Sequence, residues 1–305
     1  MNRLSAIATV GSSRRRQSRR SGYVLLMTLA LLVIAALAQA GLARRSLHAA
    51  LAANEAQSEL QRHWAAASCR DFMLQQAETI FIQMEEAGEQ RRPRWPTPRQ
   101  INASLKLGGF EVQLVLADED AKTNLNALQA KKPTDVHLAL IQQARSGLTP
   151  ELRPEMSREA KLRKRWFATW GQVYPIASTL TLPDGWERLT QVSQEITCWG
   201  DGKPNVRRAS DQTVEVVATA AIGGAAARKL LEARRAAQED LLLADLLESL
   251  DLRRADQLKL RGVLSDRSSC YSLSMALGEG RRRWYHLWVQ GDRAASGGAV
   301  QSFSW

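Results

Sequence analysis

The sequence predicts an α+β fold: a long N-terminal transmembrane helix packed on a small antiparallel sheet, with a large, mostly α-helical domain inserted between strands. Three observations predict it. Tyr23 to Ala43 is a run of 21 uncharged residues behind a basic flank. Two stretches with strand alternation, around Phe110–Leu116 and Tyr271–Val289, are separated by about 150 residues. The interval between them is dominated by helical periodicity.

The apolar run comes first. The chain has 305 residues and a net charge of +11, and its first 22 residues hold six arginines and no acid. Without them the balance is 11 − 6 = +5, a weak argument for nucleic acid. The arginines read instead as a cytoplasmic anchor beside an apolar segment. Twenty-one residues at about 1.5 Å each span about 30 Å, one hydrocarbon core. A signal-peptide core is shorter, about 7–15 residues, yet Ala38-Gln39-Ala40 is an acceptable signal-peptidase site, so cleavage there is the rival reading. The arginine bias puts the N-terminus inside and everything after Ala43 outside.

The helix continues past the apolar run. No proline occurs between Tyr23 and Arg92, and Leu47/Leu51, Leu60/Trp64 and Ile80/Met84 are i,i+4 pairs. A helix reaching residue 87 would be about 100 Å long. A small domain cannot bury that length. Its first part must lie in a membrane or against other helices, its second part on its own domain.

Arg91–Pro98 (RRPRWPTP) ends the helix. Phe110, Val112, Leu114 and Leu116 then alternate as a half-buried strand, with Asp118, Glu119 and Asp120 at its end. Asp118 and Asp120 have the oxygen ligands a hard cation such as Ca2+ takes; the other reading is that they cap the next turn and face solvent. Residues 125–170 read as helical, with an apolar stripe of Val136, Leu138, Leu140 and Ile141. Thr213–Leu260 is helical again, and Leu241, Leu242, Leu246, Leu247 and Leu250 would line a core face. Near the end the period changes to two. Tyr271, Leu273, Met275 and Leu277 share one strand face, and Trp284, His286 and Trp288 share a face of the returning strand. The Gly/Ser/Ala-rich tail from Gly291 reads as loose. The simplest packing puts the three strands in one sheet against the long helix.

No nucleophile elbow, zincin, phosphate-loop or dinucleotide motif is present, so the sequence predicts no enzyme. Cys69, Cys198 and Cys270 include no C-x-x-C pair. Outside the cytoplasm one disulfide is expected to join Cys198 to Cys270, since each sits in a strand-like stretch; three separate thiols is the alternative. Ala221–Arg235 (AIGGAAARKLLEARR) has the look of a helix-hairpin-helix, whose glycine turn presents N–H groups to phosphate. Arg228, Arg234 and Arg235 would add charge for DNA; the plainer reading is a tight turn at Gly223-Gly224.

Four pieces of this layout resemble the type II secretion system minor pseudopilin K (GspK) family, over Arg19 to about Gln290. A basic leader ends in Gly22 directly before the apolar helix. Met27 stands at the fifth position after it, where most pilins and pseudopilins carry glutamate and the K subunits do not. Asp118–Leu128 (DEDAKTNLNAL) looks like the segment entering the family's inserted domain, with Asn124 and Asn126 matching. Arg267–Leu277 (RSSCYSLSMAL) looks like its Arg-Ser-Ser strand. Two features depart: the later Asn box survives only as Asn205, Val206 and Ala209, and Tyr23 is an unusual first residue.

The resemblance implies a pilin-like fold and a non-catalytic role. Residues 1–22 would be a leader removed between Gly22 and Tyr23 by a prepilin peptidase, with methylation of the new terminus. Residues 23–43 would be the transmembrane segment, and 44–117 the periplasmic half of the helix with the first strand. Residues 118–264 would be the inserted domain (lobes of about 118–200 and 201–264), 265–290 the hairpin and 291–305 a flexible tail. Leu25, Leu26, Met27, Leu29 and Leu32 would pack against other subunits. The implied partners are the I and J minor pseudopilins, the major pseudopilin, the inner-membrane assembly platform and the peptidase. The implied location is the inner membrane, with the bulk periplasmic. Family members are thought to hold calcium, and no other cofactor is implied. A minor pilin of a type IV pilus is the alternative; a membrane-tethered helix-hairpin-helix DNA-binding module is the second.

Overall fold

The structure, a computed structural model, describes residues 17–89, 95–107, 110–131, 134, 136, 148–237, 242–279, 282–291 and 300–304. The chain divides into two compact units, residues up to 61 and residues 62–305.

The first unit is the greater part of α1 (Gln17–Gln75). From residue 22 through residue 57 every position is exposed. This helix is long and apolar enough to cross a membrane, with a mean hydropathy of 2.3 over its most apolar window. Such a surface is unfavourable in water and favourable in hydrocarbon, at about 25 cal/mol per Å2 of apolar area. The sequence expectation of a helix with no internal packing for its first part is therefore met.

The second unit begins within α1 and continues through α2 (Ala77–Glu89). Only Gln76 separates the two helices, and its N–H still donates to the Phe72 carbonyl at 3.2 Å. The strands β1 (Gln100–Leu107) and β2 (Phe110–Asp118) follow as a hairpin. The insertion then opens with a 3-10 turn (Glu119–Ala121), β3 (Thr123–Asn124), α3 (Leu125–Lys131) and α4 (Arg158–Arg163). It continues with α5 (Ile176–Leu180), α6 (Gly185–Ser193) and β4 (Ile196–Thr197), which pairs with β3 in parallel. A second group is α7 (Asp211–Ile222), α8 (Gly224–Ala236), α9 (Leu243–Glu248) and α10 (Arg254–Val263). The chain returns to the sheet as β5 (Tyr271–Glu279), β6 (Arg282–Gln290) and β7 (Val300–Ser304).

The main sheet has the order β1-β2-β5-β6-β7, with antiparallel pairing throughout. Its register places Leu114 opposite Met275 and Leu116 opposite Leu273. These side chains face α1 and α2, where Ala66, Cys69, Leu74, Ala77 and Phe81 complete one core. Leu287 and Val289 point to the other face and join a second core with Leu125, Phe167, Trp170 and Ile196. A third core lies within α7–α10, with Trp95 and Val206 packed into it.

Several expectations change. β1 is a strand the sequence pattern does not mark, because its alternation is weak and its middle residues are exposed, as suits an edge strand. β2 is not half-buried: Val115 and Ala117 on its second face are also buried, since the insertion folds back over them. The tail is not loose throughout: β7 pairs with β6, Leu287 opposite Phe303, and Phe303 lies against Trp199. Leu243, Leu246, Leu247 and Leu250 are buried as core, whereas Leu242 is exposed and Leu241 lies outside the described residues. Of the expected 136–141 stripe, Val136 is buried and the rest lies outside the described residues.

Candidate functional site

The insertion leaves the sheet at Asp118 and returns at Tyr271, which are register partners. A domain entering and leaving at one point needs that point fixed. The residues there are polar, charged and buried. Asp118, Glu119, Asp120, Lys122, Asn124 and Asn126 on the outgoing strand are each under a tenth exposed.

Arg208, from the loop before α7, ties three parts of the chain together. Its Nε donates to Glu85 Oε1 of α2 at 2.7 Å, and its Nη1 to Asp118 Oδ2 at 3.0 Å. Its guanidinium lies 4.8 Å from the centre of the Phe81 ring. Arg207 adds a second bond to Glu85, at 2.9 Å. Thr97 Oγ1 donates to Glu85 as well, and Ser268 Oγ donates to Asp118. Beside this, Lys122 Nζ meets Glu119 at 2.6 Å, and the hydroxyls of Thr197 and Ser272 donate to the same carboxylate. Asp120 Oδ2 accepts from the Ser269 N–H at 2.7 Å, the Ser269 hydroxyl at 3.0 Å and the Cys270 N–H at 3.0 Å.

The two asparagines are clamps. Asn124 Nδ2 donates to the Trp199 carbonyl at 2.6 Å while its Oδ1 accepts from Ala127 N–H. Asn126 Nδ2 donates to the carbonyls of Phe167 and Cys198, and its Oδ1 accepts from the Phe167 N–H. Asn205 Nδ2 donates to Ser268 Oγ at 2.7 Å. Amides suit these places because each supplies both donor and acceptor to loop backbone that helices and strands do not satisfy.

Burial works against these charges. It pushes the Asp118 carboxyl above its usual range, while Arg208 and Ser268 pull it back. Burial alone would lower the Arg208 guanidinium; Asp118 and Glu85 outweigh it and raise the group. Among the described residues Asp120 faces no cation. Burial pushes it up to about 7, against the bonds from Ser269. Its pKa in the folded chain is thus above its unfolded value, so the native state holds more protons from about pH 4 to 7. Asp120 therefore stabilises the fold at acid pH, and that contribution is lost as pH rises through about 7. Thermal melts of the full chain in detergent should show a Tm falling between pH 5 and 8 more steeply than in Asp120→Asn. Equal slopes would remove Asp120 as the titrating group.

The expected calcium ligands do not fit a hard cation. Asp118 Oδ2 faces a guanidinium and a hydroxyl, Asp118 Oδ1 caps the next turn by accepting the Asp120 N–H at 3.0 Å, and Asp120 Oδ2 faces N–H and O–H donors. Among the described residues no group of three or more His, Cys, Asp or Glu side chains is placed to hold a metal ion. The two acids do not face solvent either. The expected Cys198–Cys270 disulfide is likewise not formed: both are buried free thiols in one apolar core. Burial and the nearby acids raise both thiols above their ordinary value, which suppresses the thiolate that oxidation requires.

The Gly223-Gly224 turn does join α7 to α8, but its arginines are engaged. Arg234 is fully buried and donates to the Ala209 carbonyl and Asp211; Arg235 also pairs with Asp211. Arg235 stays exposed but paired, so of the three Arg228 is the one both exposed and without an ion pair among the described residues. In α1, Leu25, Leu26, Met27, Leu29 and Leu32 are 49–71% exposed, as is the neighbouring Tyr23 at 66%. A Cβ built on Gly22 meets nothing within 4 Å.

No family model matches the chain, and no curated protein matches it. Among solved structures it is similar to a chain in the crystal structure of the GspK-GspI-GspJ complex from the enterotoxigenic Escherichia coli type 2 secretion system. The identity is 14% and the TM-score 0.41, over 83% of this chain and 98% of that one. No residue role is carried over from it.

Sequence reasoning missed Arg208 and Glu85. Arg208 lies between Val206 and Ala209 of the Asn-box remnant, but its partner lies 123 positions away on a helix. No local pattern marks Glu85 as the acid that turns inward.

Proposed function

We propose that the chain is a non-catalytic minor pseudopilin of the K kind in a type II secretion system. The observation that supports this best is the combination of one exposed apolar helix beginning at Gly22 with a helical domain inserted between β2 and β5 of an antiparallel sheet. In this reading a prepilin peptidase removes residues 1–22. The helix from Tyr23 then packs through Leu25, Leu26, Leu29 and Leu32 against I and J subunits. Met27 suits a subunit with none above it: a carboxylate there would lie in hydrocarbon without a neighbour's amine, which is costly. The insertion's bulk lets the chain start or cap a pseudopilus tip and blocks growth beyond it, in the service of export across the outer membrane. The major pseudopilin and the inner-membrane assembly platform are the remaining partners.

The mature N-terminus tests this. Mass spectrometry should find Tyr23 first, and only in cells that have the prepilin peptidase. A start at Gly41 would mean ordinary signal cleavage, and a start at Met1 in both cells a plain anchor; either result defeats the proposal.

A further inference from the structure

The second unit carries a cleft of about 710 Å3 that the filament reading does not use. Three of the segments that wall it carry its cations: the end of α3 with Lys131, the turn after α4 with Lys164 and Arg165, and the loop from Trp199 to Lys203. These segments are held in place. Asn124 and Asn126 tie them to one another, and Trp199 Nε1 donates to the Ala168 carbonyl. Lys131, Lys164, Arg165 and Lys203 are exposed, and none has a side-chain partner among the described residues. Arg163 is paired with Glu159, and Asp201 is the one acid lining the cleft among those residues.

Four unpaired cations around one concave site set a field that draws and holds anions. A volume near 700 Å3 falls within the usual range of about 300–1,000 Å3 for ligand sites. The geometry points to an acidic peptide segment of a partner protein as the occupant. Arginine and lysine at the rim suit carboxylates. Single-stranded nucleic acid fits less well, since it needs exposed aromatic faces. The aromatics here, Phe167 and Trp199, are buried at 1% and 8%. This inference does not depend on the filament role, because no residue of the apolar helix takes part.

Gly262 allows a clean test. It lines the cleft from α10, and a Cβ added there meets nothing within 4 Å. Gly262→Glu therefore puts an acid into the cleft without disturbing its walls. The full chain in detergent micelles would be titrated with a fluorescein-labelled octapeptide of Glu and Asp, by anisotropy, at low salt and at about 0.5 M salt. The expected result is salt-sensitive binding, weakened about ten-fold or more in Gly262→Glu and in the triple variant Lys131→Glu/Arg165→Glu/Lys203→Glu, with Tm unchanged in Gly262→Glu. No binding at low salt overturns the inference. So does binding that both variants leave intact, which would place it on the N-terminal arginines. Displacement of the peptide by a DNA oligonucleotide of equal charge at lower concentration would make the occupant nucleic acid, and also overturns it.

Discussion

Arg208→Ala is expected to destabilise the second unit by about 3–5 kcal/mol, the cost of leaving buried charges without their partner. Arg208 is 5% exposed, and it pairs with Glu85 and Asp118, which are 5% and 0% exposed at the side chain. Removing the guanidinium leaves Asp118 without a cation and Glu85 with Arg207 as its remaining ion pair. Against a total of about 5–15 kcal/mol for a domain, that loss is large enough to show as a big fall in Tm. Tryptophan fluorescence on heating reads it, since the chain has nine tryptophans. Arg208→Lys should lie between wild type and alanine. Its ammonium keeps the charge but is a point donor that cannot span Glu85 and Asp118 as the planar fork does. A triple change, Glu85→Leu/Asp118→Leu/Arg208→Met, should cost less than Arg208→Ala alone, because it removes the two carboxylates together with their guanidinium. If Arg208→Ala melts within a degree of wild type, the junction is not what holds the insertion.

Gly200→Ala is expected to cost about 3 kcal/mol through two separate effects. Gly200 has φ +85, in the left-handed region that a Cβ disfavours. In addition, the new Cβ would lie 2.2 Å from Asp120 Oδ1 and 3.3 Å from its Cγ. Asp120 would have to move, and its bonds to Ser269 and Cys270 would be lost. Gly223→Ala isolates the first effect: φ there is +88, and nothing lies within 4 Å of the added atom. It should cost only the backbone term, about 1–2 kcal/mol. Parallel urea titrations would give the difference between the two variants. If the two cost the same, the close approach to Asp120 is absorbed by a small shift and does not restrain the loop.

The elements differ in how far the sequence alone could specify them. The long helix was legible because it depends on local facts: 21 uncharged residues, no proline and a basic flank. The strands β2, β5 and β6 were legible because alternation with period two is a local signal. Their placement in one sheet followed from the helical interval between them. The exposure of Leu25, Leu26, Met27, Leu29 and Leu32 in α1 was legible in the same way, since an apolar face with no partner in its own chain is a property of composition.

The junction was not legible, and the reason is physical. Asp118 and Asp120 look like cation ligands in sequence because three acids in a row suggest free carboxylates. What a carboxylate does depends on the donors it meets. Those donors come from Arg208, 90 positions on, and from Ser269, 149 positions on. The same holds for Arg234, which local sequence offered to DNA and the packing of α7 and α8 buried. It holds for Cys198 and Cys270, brought into one core yet kept as thiols by burial. It holds for the basic cleft, whose cations lie on three segments that Asn124, Asn126 and Trp199 draw together. The sequence by itself determined the long helix, the strands β2, β5 and β6 and the apolar surface of α1, because these follow from hydrophobic period and chain stiffness over a few residues. The tertiary structure alone decided which charges are paired and which remain open, because pairing is set by distance in space between residues far apart in the chain.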